Sequence, residues 1–170
     1  MVGLGLLRHV VLRKTFQHLF RVSNQFLAFI NVPLFLSTFH HPDQREHVQP
    51  SLVLAMLALS TLLRSSDIGL GHKGRLKALE LRDLAQSHFD MSLICGWVSP
   101  DLAQAALLLV MFEGSCHPAY SESRARSTLF LLDSLILGLG LLELDKGDYS
   151  VTTFSPNSVP SLSGSHLPIT

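Results

Sequence analysis

Cysteine and charge are both scarce in this sequence. Its 170 residues include only two cysteines, Cys95 and Cys116, which excludes a disulfide framework and any zinc module that needs four or more thiolates. Charged residues make up 15% of the chain, and thirteen Lys and Arg balance thirteen Asp and Glu. Without net charge, no field draws the whole molecule to nucleic acid. We expect both cysteines to be reduced and buried, as in an intracellular protein.

The sequence also lacks a long uninterrupted apolar run. The longest apolar stretch, residues 129–142, contains Asp133 and is weakened by Gly138 and Gly140. It is shorter than the ~20 residues that span a bilayer. We therefore predict that this stretch is a buried helix and that the chain has no transmembrane segment.

Acidic residues are missing from the beginning of the chain, where Asp43 is the first. A basic, acid-free and amphipathic start is typical of a mitochondrial presequence, so a mitochondrial or membrane-associated helical protein stays open as an alternative. A secretory signal is not predicted, because no cationic residue precedes the short apolar run at residues 3–7 and Arg8 interrupts it.

Apolar residues, 47% of the chain, recur mainly at the spacings of three and four that indicate helices. We predict an all-α fold, a bundle of about four to six packed helices within one domain at residues 1–149. Residues 150–170 contain six serines, three threonines, three prolines and no formal charge, which predicts a flexible, disordered tail. The predicted helices are an amphipathic helix from Phe16, a short one after Pro33 that runs through Phe39, and helices at 52–64, 75–89, 102–112 and 121–139.

Local sequence cues place one helix start and two loops. Ser99, Pro100 and Asp101 combine a capping hydroxyl, a proline at the first position and an acid in the first turn. Helix 102–112 is apolar almost all round and is predicted to be central. Residues 40–49 are polar and are predicted to form a surface loop, and residues 113–120 are predicted to form a second loop.

One glycine pattern matches a nucleotide-binding fingerprint by letter. Gly69, Gly71 and Gly74 have the dinucleotide-binding spacing, and Asp90 follows at a suitable distance. That fingerprint binds a pyrophosphate only where a strand ends and a helix begins. Because the preceding segment, 52–64, is predicted to be helical, we interpret the glycines as a turn between two helices.

The remaining polar residues give no catalytic or metal-binding pattern. Adjacent Cys116 and His117 lack an orienting third group and an oxyanion site, and the histidines lack metal-ligand spacing. We expect His40 and His41 in an exposed turn and a polar side of helix 75–89 at Arg75, Arg82 and Gln86. Arg124 and Arg126 are expected on a solvated surface, with contact to an acidic partner as the alternative. No residue is therefore assigned as catalytic, cofactor-binding, metal-binding or DNA-binding, and the chain is not predicted to be an enzyme.

The order of four apolar segments carries a resemblance. They are 26–35 (FLAFINVPLF), 50–60 (PSLVLAMLALS), 101–109 (DLAQAALLL) and 137–141 (LGLGL). This order resembles the start of the middle homology region, the fungal-specific transcription factor domain, of fungal zinc binuclear cluster transcription factors. In that family the first segment commonly reads as an aromatic pair followed by His-x-Pro-x-Phe. The matching positions here are Asn31, Pro33 and Phe35, with asparagine in place of histidine, and the resemblance covers roughly residues 12–144.

The resemblance implies a non-catalytic regulatory and interaction domain of a nuclear factor that controls RNA polymerase II genes. Such a domain works through protein partners or self-association of apolar helices, and sometimes through a small-molecule effector. The family's DNA-binding head, with six cysteines and two zinc ions, is not found in this sequence, so we expect a fragment. Zinc and DNA contact are expected only through that head or a partner. The alternative is a small all-helical ligand-binding protein.

Overall fold

The computed structural model describes residues 15–21, 27–67, 71–115 and 117–143. Within these ranges all regular structure is helical and no strand occurs, so the predicted all-α bundle is confirmed. The tail at 150–170 and the predicted boundary at residue 149 lie outside the described residues. The helices are α1 (15–21), α2 (Val32–His40), α3 (Pro50–Asp67), α4 (Gly71–Ile94), α5 (Pro100–Glu113) and α6 (Glu122–Gly138), with short 3₁₀ turns at Arg45–His47 and Leu141–Glu143.

The core lies between α3, α4 and α5. Helix α3 packs along α4, α5 packs against both, and α6 packs mainly on α5. Each large apolar side chain that is buried in this core stabilises the folded state by about 1.5–3 kcal/mol. As predicted, α5 is central, since most of its side chains are buried. The largest fully buried side chains include Phe16, Met56, Phe89, Leu108 and Phe112.

Aromatic contacts fasten α1 to α2. The Phe16 ring meets the rings of Phe35 and Phe39 edge-on, at centroid distances of 5.4 and 5.6 Å. Phe35 and Phe39 are one helical turn apart and stack at 5.8 Å. Because edge-to-face pairs satisfy the ring quadrupoles, these three residues fix the short helix α2 against the rest of the bundle.

Three helices begin at the side chains that supply their caps. Asn31, Ser99 and Ser121 accept a hydrogen bond from the backbone amide three residues on, at 3.1, 3.4 and 3.3 Å. Such a cap satisfies one of the amides that a helix start leaves without a partner. The predicted starts of α5 and α6 are therefore confirmed. The predicted start of α2 after Pro33 is wrong, because Val32 is already helical and Pro33 is accommodated in the first turn of the helix.

The glycine-rich segment joins two helices. Helix α3 ends at Asp67 and α4 begins at Gly71, whose φ is +54°. The segment before the glycines is helical through Asp67, as predicted, so the described residues do not supply the strand that the fingerprint needs. Residues 68–70, which include Gly69 and the predicted turn, lie outside the described residues. The predicted break at Gly74 is wrong, because this residue is buried within α4. Helix α4 accordingly begins before the predicted start at Arg75.

The expectation of a buried helix at 129–142 is wrong for much of its length. Leu132 and Leu135 are buried, whereas Phe130 is 73% exposed and Leu137 is 62% exposed. The physical reason is that α6 lies at the edge of the bundle and packs mainly on α5, so one face of the helix is left uncovered. Among the described helices, none is both long and apolar enough to cross a membrane.

The predicted surface loop at 40–49 is correct for its first part only. His40 and His41 are exposed, as expected, but Val48 and Gln49 are buried. The Gln49 amide nitrogen donates to the Trp97 carbonyl oxygen at 2.9 Å, and its Oε1 accepts from the Ser92 hydroxyl at 3.1 Å. Gln49 therefore links the start of α3 to the connection between α4 and α5.

Candidate functional site

A buried carboxylate joins three helices. Glu113 is the last residue of α5, and its side chain is 2% exposed. Its Oε1 accepts hydrogen bonds from Arg82 of α4 and, at 2.7 Å, from the Nε of Arg124 of α6. Its Oε2 accepts from the backbone amide of Ser121 at 3.3 Å. With His117, these charged side chains form what we call the Glu113 cluster.

The cluster corrects three expectations from sequence. Arg82 is buried rather than solvated, because its guanidinium is neutralised by Glu113. Arg124 is only partly exposed and also donates to the Ala119 carbonyl oxygen at 2.6 Å. Glu113 belongs to α5 rather than to a loop. Arg126 does lie on the surface, as predicted, where it pairs with Glu122 at 2.6 Å.

His117 is enclosed beside this carboxylate. Its ring centroid lies 5.0 Å from that of Phe112, and its Nε2 is 3.7 Å from Glu113 Oε2. Neither ring nitrogen has a hydrogen-bond partner in the described part of the chain. Burial lowers the pKa of His117, and the charges of Arg82 and Arg124 lower it further against the opposing effect of Glu113. The imidazole is therefore neutral at neutral pH.

The arginines keep Glu113 ionised. Burial alone would raise the pKa of the carboxyl, but the hydrogen bond from Arg124 and the charges of Arg82 and Arg124 outweigh burial and lower it. A charge in the interior is tolerated only when it is paired and hydrogen-bonded in this way. In the described part of the chain, the carboxylate of Glu113 therefore has a structural role, because its hydrogen bonds link α4, α5 and α6.

The other predicted residues do not converge with this cluster. Cys95 is exposed in the turn after α4, so the expectation that it is buried is wrong. Cys116 lies outside the described residues. Within the described ranges, no group of three or more His, Cys, Asp or Glu side chains could hold a metal ion.

Three segments that are far apart in sequence meet at a cavity of about 180 Å³ between α2, α3 and α5. Asn31 and Phe35 come from the first segment, Leu52 from the second, and Asp101 and Gln104 from the third. Burial raises the pKa of Asp101. The cavity therefore combines an apolar wall with polar groups, which is the usual character of a small-molecule site, although it is smaller than most.

A second, mostly apolar groove of about 370 Å³ separates α5 from α6. Gln104 reaches this groove as well, and its amide nitrogen donates to the Phe29 carbonyl oxygen at 3.0 Å. The groove continues toward the exposed end of α6 through Leu141 and Leu142. Its apolar wall is formed by Phe29, Pro100, Ala103, Leu107, Leu132 and Ile136.

The sequence analysis missed two buried polar residues that link separate elements, Gln49 and Glu113. Each is a single polar residue at the end of a strongly apolar helical run. This position in the sequence could have indicated that both residues are buried and hydrogen-bonded, because a polar residue at the end of a buried helix needs a hydrogen-bond partner. Comparison of the chain with protein-family models, curated proteins and solved structures finds no match.

Proposed function

We propose that this chain is a non-catalytic regulatory and interaction domain of the type found in fungal zinc-cluster transcription factors. In this proposal it acts in the nucleus on RNA polymerase II genes through protein partners. DNA contact and zinc belong to a separate zinc-cluster head or to a partner. The chain itself contributes helical packing surfaces and no bond-making chemistry.

One observation carries the proposal. Four residues within the segments that carry the resemblance, Asn31, Phe35, Leu52 and Gln104, come from three separate segments and line one cavity. Asn31, which replaces the usual histidine, caps α2, and Phe35 anchors the same helix in the core. The proposal is supported by this packing, because three of the segments that carry the resemblance meet in one place in the fold.

The charged residues support a role without catalysis. In the Glu113 cluster the carboxylate is used by Arg82, Arg124 and a backbone amide. The large exposed apolar residues of α6, by contrast, offer contact area to another protein. Regulation would follow from binding that favours one arrangement of the helices over another.

A reporter experiment tests the proposal. The whole chain is fused to an unrelated DNA-binding domain, and transcription is measured from a promoter with moderate basal activity so that activation and repression both register. We expect the fusion to change transcription relative to the DNA-binding domain alone. Glu113→Gln in the fusion should remove the effect, whereas Lys77→Ala, at the exposed pair with Glu80 on α4, should keep it. An intact nuclear fusion that leaves transcription at the level of the DNA-binding domain alone would contradict the proposal.

The 180 Å³ cavity favours a second candidate, which is binding of a small molecule as the chain's main role. Asn31, Asp101 and Gln104 supply polar groups at its wall. Saturable binding of a small polar molecule by the purified chain, lost in Gln104→Leu, together with an unchanged reporter would favour this candidate over the first.

A further inference from the structure

The outward face of α6 carries a regular stripe. Ser123, Ser127, Phe130, Ser134 and Leu137 follow one another at alternating spacings of four and three, which places them on one side of the helix. All five are exposed. The buried residues of α6, Thr128, Leu132 and Leu135, lie on the opposite side, toward α5. We call these five exposed residues the outer stripe.

One end of the outer stripe forms a surface depression. It is lined by Glu122 together with Ser123, Arg126, Ser127 and Phe130. The last four occupy positions i, i+3, i+4 and i+7 of a helix. Four residues in that arrangement form the hole that receives a side chain from a facing helix in coiled-coil packing. The depression has a volume of about 450 Å³, and two of its five lining residues are serines, so it has room for a large side chain from a facing helix.

The same helix carries the side chains that fit such a hole. Phe130 and Leu137 are seven residues apart, protrude into solvent and are 73% and 62% exposed. We propose that two copies of this chain pair through α6 in antiparallel orientation, with Leu137 of each copy inserted in the depression of the other. This pairing gives the proposed interaction domain its partner, a second copy, and rests on that proposed role.

One register satisfies both large side chains. An antiparallel pair that places Leu137 opposite Ser127 also places Phe130 opposite Ser134, because both pairs are symmetric about residue 132. A large residue then faces a small one in every layer. Parallel pairing in register would instead place Phe130 against Phe130 and serine against serine. Antiparallel helices also place each positive N-terminus near a negative C-terminus.

The size of the surface sets the expected strength. A helix of 17 residues is about 25 Å long, so a pair of such helices buries less than the ~1,200 Å² of the smallest standard interfaces. Near the two-fold axis, Asp133 of each copy lies beside Asp133 of the other, and like charges repel. We therefore expect a reversible dimer with a Kd of roughly micromolar or weaker.

Sedimentation equilibrium of the purified full chain over a wide concentration range tests this pairing. We expect a monomer–dimer equilibrium, and we expect Phe130→Ser and Leu137→Ser each to raise the dimer Kd at least ~10-fold. Both side chains are exposed in the monomer, so the circular dichroism spectrum should not change. Leu129→Ser is the matched control, because Leu129 is 53% exposed on the same helix but lies off the outer stripe.

Asp133→Asn distinguishes the antiparallel arrangement. Removal of the two facing charges should lower the dimer Kd, and low salt should enlarge the difference from the unaltered chain. A chain that stays monomeric at all concentrations would overturn the inference, as would a dimer unaffected by Leu137→Ser or weakened equally by Leu129→Ser. The reporter result is independent of this assay, so failure of the dimer and failure of the proposed function can be told apart.

Discussion

Glu113 of α5 links α4 and α6 through its carboxylate. It compensates the charge of Arg82, which is 4% exposed, and it receives hydrogen bonds from Arg124 and from the backbone of Ser121. Without Glu113, the buried guanidinium of Arg82 would keep one ion pair, with Asp83, whose side chain is 70% exposed. Desolvation of such a charge costs several kcal/mol, so the effect of removing Glu113 is expected to be large.

The substitution Glu113→Gln measures this dependence. It keeps the size of the side chain and removes the charge, and we expect it to lower the free energy of unfolding by about 3–5 kcal/mol. Chemical denaturation followed by circular dichroism gives the value. Glu122→Gln is the matched control, because Glu122 pairs with Arg126 on the surface and such pairs contribute at most about 1 kcal/mol. Equal losses for the two variants would show that Glu113 has no special structural role.

The contrast between caps and charges shows which residue roles sequence can predict. Ser99 was placed correctly because a cap depends on an amide three residues away. Arg82 was not, because its burial depends on Glu113, which is 31 residues away in the chain. A pairing over that distance is not encoded in any local pattern. The Glu113 cluster was therefore beyond prediction from this one sequence.

At the scale of elements, buried hydrogen bonds also connect the segments between helices to one another. Gln49, fully buried before α3, is hydrogen-bonded to the Trp97 carbonyl and to the Ser92 hydroxyl. Trp97 lies in the connection from α4 to α5, and Ser92 lies in the last turn of α4. One amide thus fixes the entry of α3 against the end of α4.

We expect Gln49→Ala to destabilise the protein by about 1–3 kcal/mol, because it removes a fully buried side chain together with its hydrogen bonds to the Trp97 carbonyl and the Ser92 hydroxyl. Thermal unfolding and denaturant titration both measure this loss. Gln44→Ala provides the comparison, since Gln44 is exposed in the same loop and should change stability by no more than about 0.5 kcal/mol. If Gln49→Ala were as mild as Gln44→Ala, the hydrogen bonds would not be holding α3 in place.

The helices themselves were largely predictable, and their exposure was not. Apolar spacing gave α3 and α5 to within a few residues, because periodicity reports which faces are apolar. The apolar residues of α6 gave the same signal. Periodicity does not report whether another helix covers a face, and Phe130 and Leu137 remain uncovered by the described residues. The surface that carries the inferred pairing was therefore mistaken for core.

For the whole molecule, stability and colloidal solubility should respond to acid in opposite directions. The formal net charge is zero at pH 7 and the isoelectric point is about 7.1. Low net charge favours association, and the exposed apolar side chains of α6 add to this tendency. Histidine is the side chain that gains charge between pH 8 and pH 5. Below its isoelectric point the chain is net positive, and its net charge grows as the pH falls.

Folding stability should fall over the same interval because of His117. The pKa of His117 in the folded protein lies below the usual 6.5. As the pH falls below 6.5, the unfolded chain therefore binds a proton at this residue while the folded chain does not. The contribution of the neutral His117 imidazole to the free energy of unfolding is complete above pH 6.5 and is lost as the pH falls below that value. Glu113 adds a second loss, which begins only below its usual pKa of 4.5, because the arginines lower the pKa of the folded carboxyl.

These opposed effects give the last test. Between pH 7.5 and pH 6, light scattering should show less association while denaturant titration shows a lower free energy of unfolding. His117→Leu should keep the gain in solubility, since the variant is still net positive below its isoelectric point, and should flatten the fall in stability, since the buried imidazole is gone. A stability curve that keeps its slope in His117→Leu would contradict the account of His117. Solubility that falls together with stability would instead mean that acid exposes apolar surface by unfolding and that net charge does not govern association.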